Sequence, residues 1–368
     1  MSDPRYTPLR ERHEALGASF TDFGGWQMPV RYTSDLAEHH AVRQAAGIFD
    51  ISHMAEFTVR GADAGEYLDY ALAGRLSALA VGKAKYSLLL AESGRIIDDV
   101  IVYRLQDDDF LIISNAGNRN VVAAALAART ASFDVEVTDV SDDHALIAVQ
   151  GPAAEGILAS TPGIVDVSVP WDEQRYYAWA SATWDGHPVL IARTGYTGED
   201  GFELLVPAEA ATSVWDAVLR AGEPHGLVPA GLAARDTLRL EAGMPLYGHE
   251  LSLETTPAQA GLGRVVVTAK ERFVGKDAAE AASDAPVLVG LVAEGRRAGR
   301  AGYSVVAEDG TTLGEITSGA LSPTLGHPIA MAYVTPSSAA EGTAVFLDVR
   351  GTRIPATVTA LPFYRRTK

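Results

Sequence analysis

Hydrophobic and polar positions along the first 270 residues alternate between helical and extended periods, which predicts mixed α and β structure. Residues 34–46 read as a helix, with Thr33 or Ser34 as its cap and Gly47 as its stop. Residues 62–73 read as a second helix, ended by Gly74. The apolar or β-branched runs at 86–90, 100–105 and 111–115 read as strands. The Ala-rich run after Asn118 suits a helix. Residues 146–150 form another strand, broken by Gly151-Pro152, and Asp185-Gly186 between two extended runs reads as a hairpin turn. Val214, Trp215, Val218 and Leu219 recur at helical spacing with Gly222 as stop, and a further helix spans 232–242 before Gly243. The stretch 277–286 is rich in Ala and acids and reads as a linker or a last helix. Beyond Pro286 the runs are short and β-like, with turns at Asp309-Gly310, Gly319, Pro323 and Gly351. That pattern predicts a small all-β barrel or sandwich of roughly 80 residues. The expected division is a larger region, 1–278, followed by a C-terminal β-barrel domain, 286–368.

Composition then removes whole classes of chemistry. The 368 residues are 47% hydrophobic and 21% charged, ordinary for a globular chain. A formal net charge of −17 fits neither nucleic acid nor an anionic membrane, because phosphates are repelled overall. The absence of cysteine removes disulfides, thiolate nucleophiles, Cys-zinc sites and iron–sulfur ligation. No run reaches the ~18 apolar residues that a membrane helix needs. The N-terminus has no apolar signal core, so the cytoplasm is the expected compartment. The phosphate loop GxxxxGK[ST], a GxGxxG after a strand, the GxSxG elbow and the HExxH zinc helix are all missing. His39 and His40 are adjacent, so on a helix they point about 100° apart and make a poor metal pair. The nine histidines show no other ligand spacing and read as surface or capping residues, so no metal is expected.

Four segments remain as carriers of chemistry. In GRIIDDVIVYRL, residues 94–105, a Gly-bearing turn leads into Asp98-Asp99 at the entry to an apolar strand. Adjacent strand residues point to opposite faces, so one acid can be solvated while the other is aimed inward. A carboxylate against apolar walls can accept a hydrogen bond from an amine and stabilise a developing cation. On pattern alone, a solvated or turn-forming Asp pair is the commoner outcome. In ARTGYTGEDGFELLV, residues 192–206, clustered glycines make a bent loop flanked by Tyr196 and Glu203, although a plain strand connection has the same pattern. In GLAARDTLRLEAGMPLYG, residues 231–248, Arg235 and Arg239 lie one helical turn apart. Either could grip a carboxylate, but an intrachain partner such as Asp236 or Glu241 is the better match to spacing alone. The aromatic stretch FGGWQMPVRY, residues 23–32, could stack a planar ligand, and reads more readily as core.

The order and identity of these and other segments are specific where each alone is weak. From Thr7 to Arg366 the chain carries TPLRERHEALGASF, FGGWQMPVRY, GIFDISHM, KAKYSLLL, IIDDVIVY, SNAGN, VQGP, RTGYTGEDGFE, GLAARDTLRLEAGMPLYGHEL, GLGRVV, FVGK, EITSGALSPTLGHPIAMAYV and LPFYRR. In this it resembles the glycine cleavage T-protein family of aminomethyltransferases. The resemblance implies an α+β, three-part, cloverleaf-like folate-binding fold, with two interleaved α+β subdomains in region 1–278 and the small β-barrel after it. It also implies transfer of a one-carbon unit from the aminomethyl-dihydrolipoyl arm of H-protein to tetrahydrofolate, within glycine catabolism. The products are 5,10-methylenetetrahydrofolate, ammonia and dihydrolipoyl H-protein.

The same resemblance assigns residues. Asp99, the second acid of IIDD, matches the family's residue facing the folate nitrogen at position ten. Tyr86, Tyr103 and Asn115 match residues lining the pterin side, with Ile101 as apolar wall. Tyr176, Tyr196 and Glu203 match further pocket positions, Glu203 as acceptor for the pterin amino and ring N–H groups. Arg235 matches a folate-contacting Arg, with the glutamate tail or another anionic edge as its target. Arg365, rather than Arg366, is taken as the C-terminal contact, and Tyr247 as an additional one. The chain departs from the family at Arg95 and Arg264, where many relatives carry Gly and Trp, and at Gly299 to Tyr303, where Pro-Arg-x-Gly-Tyr is usual. Lipoylated H-protein and tetrahydrofolate are the expected partners, with no nucleic acid and no membrane. Arg296, Arg297, Arg300, Arg365 and Arg366 are the basic candidates for docking on an acidic chain. Two other readings share the fold. Folate-coupled demethylation domains need an attached flavin domain, and the dinucleotide fingerprint is missing. Helpers of iron–sulfur enzymes carry a Cys motif where this chain has RTGYTGEDG. A folate-binding module without catalysis is disfavoured by the intact Asp99.

Overall fold

A computed structural model describes residues 4–279 and 284–367. The chain divides into two compact units: one of residues 1–71, 75–86 and 100–235, the other of residues 72–74, 87–99 and 236–368.

The first unit is built on a seven-stranded sheet. Its strand order is Ile164–Val165, Trp179–Trp184, His187–Ala192, Gly201–Pro207, His144–Gln150, Ala46–Asp50 and Leu227–Pro229. All its pairings are antiparallel except the last, where Leu227–Pro229 runs parallel to Ala46–Asp50. The helices Ala154–Ser160 and Ala211–Gly222 supply Ile157, Leu158, Val214, Trp215 and Val218 to one core with Ile48, Ile147, Val149, Phe202 and Leu204 of the sheet. The helical spacing of Val214, Trp215 and Val218 is therefore a core stripe. The turn at Asp185-Gly186 joins two of these strands with φ of 46° and 81°, the doubly positive pair that a two-residue hairpin turn requires. A second sheet has the order Ala84–Leu90, Ile96–Arg104, Asp109–Ser114, Ala55–Arg60 and Glu136–Asp139.

The second unit ends in a closed barrel. Its strands run Val287–Ala293, Pro328–Val334, Thr312–Leu321, Ser304–Val306, Ala344–Val349 and Thr352–Thr359, and the last pairs back to the first through Gly290 and Thr359. Closure leaves no sheet edge. Leu291, Ile316, Ala332, Val334, Val345 and Leu347 fill its interior. Among the described residues no helix is long and apolar enough to cross a membrane.

Several local expectations are corrected. The helix predicted at 34–46 is Asp35–Gln44, capped by the Ser34 hydroxyl, which accepts from the Ala37 N–H. Gly47 does not stop it. Ala46–Asp50 is a fully buried strand, and a Cβ at Gly47 would stand 2.5 Å from a Val42 methyl. Gly319 is not a turn either. It lies within Thr312–Leu321, where its missing side chain admits the Gly299 carbonyl oxygen, 2.5 Å from where a Cβ would stand. The second helix is shorter than predicted, Ala64–Ala71. In the 277–286 stretch the helix Lys276–Ala279 is present, and residues 280–283 lie outside the described ones. The FGGW segment forms an antiparallel pair, Ser19–Phe23 with Trp26–Arg31, and buries Trp26 and Met28 as core.

Candidate functional site

In the first unit, the bent loop 193–200 is wrapped onto one amide. Gln150, at the end of its strand, donates from Nε2 to the Thr194 carbonyl at 3.1 Å and accepts from the Thr197 hydroxyl at 2.9 Å. The glycines of the motif are required by this approach: a Cβ at Gly195 would stand 2.0 Å from Gln150 Oε1, and one at Gly201 2.5 Å from its Nε2. Arg43 closes the outer side, donating to the Thr197 carbonyl at 2.7 Å and to Glu199 at 2.9 Å.

The loop places Thr194 between two expected site residues. Its hydroxyl donates to Glu203 Oε2, and the Tyr103 hydroxyl lies 3.1 Å from the same oxygen of Thr194. A hydroxyl has one proton to give, so Tyr103 is the donor in its own bond. Tyr103 and Glu203 are both buried. Burial raises the Tyr103 pKa well above its ordinary value, and the Glu203 charge raises it further. Burial likewise raises the Glu203 carboxyl, while the Thr194 bond and the Arg235 charge pull it back. Arg235, on the helix Leu232–Glu241, lays its guanidinium over the Tyr196 ring, 4.7 Å from the centroid. Tyr103, Glu203, Tyr196 and Arg235 are thus drawn into one acceptor, hydroxyl and cation set. Ile101 shares the strand of Tyr103 two residues earlier, and its ladder partner is Ile113. Tyr86 and Asn115 are half-buried, and Tyr176 is exposed with its ring edge-on to Tyr177.

His53 is a buried residue near this set that sequence reasoning missed. It is 3% exposed, its Nδ1 has no hydrogen-bond partner, and the ring of Phe23 meets it edge-on at 5.4 Å. Burial, and then the positive charge of Arg235, push its pKa down to about 4. A second buried histidine, His13, bonds Asp50 through Nε2 at 2.8 Å and the Tyr32 hydroxyl through Nδ1 at 2.9 Å. His39 is also buried, so the expectation of surface or capping histidines fails for three positions. A lone His in a sequence carries no periodicity that would have shown this.

In the second unit, the Asp pair behaves as strand alternation requires. Asp98 is completely buried and Asp99 is half-buried. Gly94, at φ 73°, makes the turn into this strand, and the Ile96 N–H is held by the Thr255 carbonyl at 3.0 Å. The Tyr247 hydroxyl donates to the Ile96 carbonyl at 3.3 Å. Burial raises its pKa, and the charges of Asp98 and Asp99 raise it further. Arg239 is 1% exposed and fully committed, to Asp236, to Glu250 at 2.9 Å and to the Ser318 hydroxyl at 2.8 Å. Its intrachain partners include Asp236, as expected, and Glu250. Arg95, at one of the departures, makes an exposed ion pair with Glu254 at 2.6 Å. Arg365 is exposed near the C-terminus. Among the described residues no group of three or more His, Cys, Asp or Glu is placed to hold a metal ion.

Comparison with known proteins agrees over the whole length. The family model described as the GCVT N-terminal domain matches residues 9–270, and the one for the glycine cleavage T-protein C-terminal barrel domain matches 287–365. The chain is 57% identical to an aminomethyltransferase of Cutibacterium acnes and 55% identical to one of Saccharopolyspora erythraea, each over the full length of both chains. It is also similar to the crystal structure of glycine cleavage system aminomethyltransferase T from Bartonella henselae, with 37% identity, 99% of each chain covered and a TM-score of 0.91. The α+β fold with its C-terminal barrel and these full-length likenesses agree, and the chain belongs to the glycine cleavage T-protein family, the aminomethyltransferases.

Proposed function

We propose that the chain moves the one-carbon unit of the aminomethyl-dihydrolipoyl arm of H-protein to tetrahydrofolate. The carbon leaves both its nitrogen and its sulfur, and it bonds to two folate nitrogens. The two N–H protons those nitrogens give up depart with ammonia and with the dihydrolipoyl thiol, so the exchange balances without an oxidant. When bound, tetrahydrofolate supplies the nucleophilic nitrogens. The carrying observation is the set of buried Glu203, Thr194 and Tyr103 with the half-buried Arg235, whose donors and acceptors fit a pterin with an anionic tail. A carboxylate offers about four lone-pair sites, and the Thr194 bond takes one, so Glu203 can accept from pterin N–H groups. The Arg235 guanidinium fits a carboxylate on the folate tail. Tyr86, Ile101, Asn115, Tyr176 and Tyr196 complete the pocket in this reading, with Tyr247 beside the acids.

Asp99 is the proposed catalytic residue. A fixed carboxylate favours the positive charge that develops at the one-carbon unit, and it orients the folate nitrogens. The buried neighbour Asp98 does not share this role. Of the two terminal arginines, the exposed Arg365 is the proposed folate contact. The proposed compartment is the cytoplasm and the proposed protein partner is lipoylated H-protein. The test is Asp99→Asn: folding and tetrahydrofolate affinity persist while folate-dependent ammonia release is lost. Full activity in this variant removes the assignment.

A further inference from the structure

The helix Leu232–Glu241 ends on an acid, and its own last turn disfavours a negative charge there. Glu241 is nevertheless completely buried. What holds it is a turn of the barrel: Oε1 accepts from the Ser322 hydroxyl at 2.5 Å and the Thr324 N–H at 2.9 Å, and Oε2 accepts from the Thr324 hydroxyl at 2.7 Å. The Ser322 hydroxyl oxygen in turn accepts from the Leu325 N–H at 2.9 Å. Leu325 therefore has a fixed place, and it packs with Leu240, Leu361 and Phe363 around Met331. The backbone of Glu241 is used as well. Its carbonyl, an orphan of the helix end, accepts from the Tyr364 N–H at 2.8 Å. Gly243 lets the tail lie close, since a Cβ there would stand 3.1 Å from Pro362. One residue thus fastens the helix end, the 322–325 turn and the C-terminal tail together, and the next residue along the tail is Arg365. An acid kept against its local electrostatics is the kind of inconsistency expected where function constrains a fold.

We infer that Glu241 is a positioning residue for Arg365, setting the tail so that its guanidinium meets the folate. This rests on the reading of Arg365 as a folate contact. The variants are Arg365→Ala, Glu241→Ala, Glu241→Gln and the double Glu241→Ala/Arg365→Ala, assayed for tetrahydrofolate KM and kcat. Gln keeps an acceptor for Ser322 and the Thr324 N–H, and its amide can donate to the Thr324 hydroxyl. Arg365→Ala raises KM by about tenfold or more, as expected for one charged contact, with kcat little changed. Glu241→Ala raises KM to a similar degree, Glu241→Gln retains most of the affinity, and the double variant is no worse than Arg365→Ala. An unchanged KM in Arg365→Ala overturns the contact itself. A raised KM there with an unchanged KM in Glu241→Ala, or fully additive effects, overturns the positioning role alone. If Glu241→Ala does not fold, Thr324→Val gives the reading. It removes one bond to Glu241, so a KM unmoved by it counts against the inference and a raised KM with kcat kept supports it.

Discussion

Replacing Arg235 by Met separates a ligand contact from a structural one. The guanidinium stacks on the Tyr196 ring at 4.7 Å, on a helix whose interior is otherwise held by Ala234 and Leu238. A cation–π contact of this exposure contributes about 0.5–1 kcal/mol, so losing the stack on Tyr196 costs little stability. A charge-assisted bond to a folate carboxylate contributes about 1.5–3 kcal/mol, so tetrahydrofolate affinity falls by roughly 10- to 150-fold. Two titrations gauge whether the charge itself is responsible. Arg235 helps depress His53, which stands at about 4, and it opposes the burial that raises Glu203. In the variant His53 moves up toward its ordinary value. Glu203 moves up further, so it protonates at higher pH and folate affinity fails earlier on acidification. Calorimetry across pH measures the affinity, and the imidazole resonances of His53 measure its titration. Unchanged affinity refutes the clamp. A large loss of stability with an unmoved His53 titration refutes the electrostatic account.

Three further outcomes follow from named contacts. Asp99→Asn keeps the urea midpoint and most folate affinity while ammonia release falls steeply, and equal loss of affinity and turnover contradicts a role in the chemistry. His53 is depressed in the folded state, so the unfolded chain binds more protons between its two pKa values. Its contribution is complete above about pH 6.5 and is lost as pH falls toward about 4, amounting to about 2.5 kcal/mol at about pH 4.5. Urea denaturation of His53→Gln therefore shows a smaller acid loss by that amount, and identical losses in both proteins count against it. Glu250→Ala removes the buried carboxylate of Arg239, leaving it the exposed Asp236, and costs about 3 kcal/mol in urea denaturation, whereas Arg95→Ala, at the exposed pair with Glu254, costs about 0–1. Equal costs contradict the burial argument.

Much of the fold was legible where local chemistry and tertiary context agree. Ser34 caps its helix, Asp185-Gly186 turns its hairpin, and the 214–218 spacing marks a core stripe, because each depends on neighbours in sequence. Gly47 and Gly319 misled for one reason. Glycine reads as a stop, yet both sit within strands where another part of the chain comes too close for a side chain. The site divides the same way. IIDD announced one buried and one half-exposed acid through strand alternation. Nothing local showed that Arg239 pairs with Glu250, that Gln150 organises the TGYTGEDG loop, or that His53 is buried within reach of the Arg235 charge. Those relations join residues distant in sequence, and only the folded chain brings them together.

The most direct test of the central claim is turnover of aminomethyl-lipoyl H-protein, followed by ammonia release, with and without tetrahydrofolate. Strong acceleration by tetrahydrofolate, with methylenetetrahydrofolate formed in step, is the predicted result. Tetrahydrofolate binding in calorimetry without any acceleration would contradict the account and leave a folate-binding protein whose one-carbon donor is not the lipoyl arm.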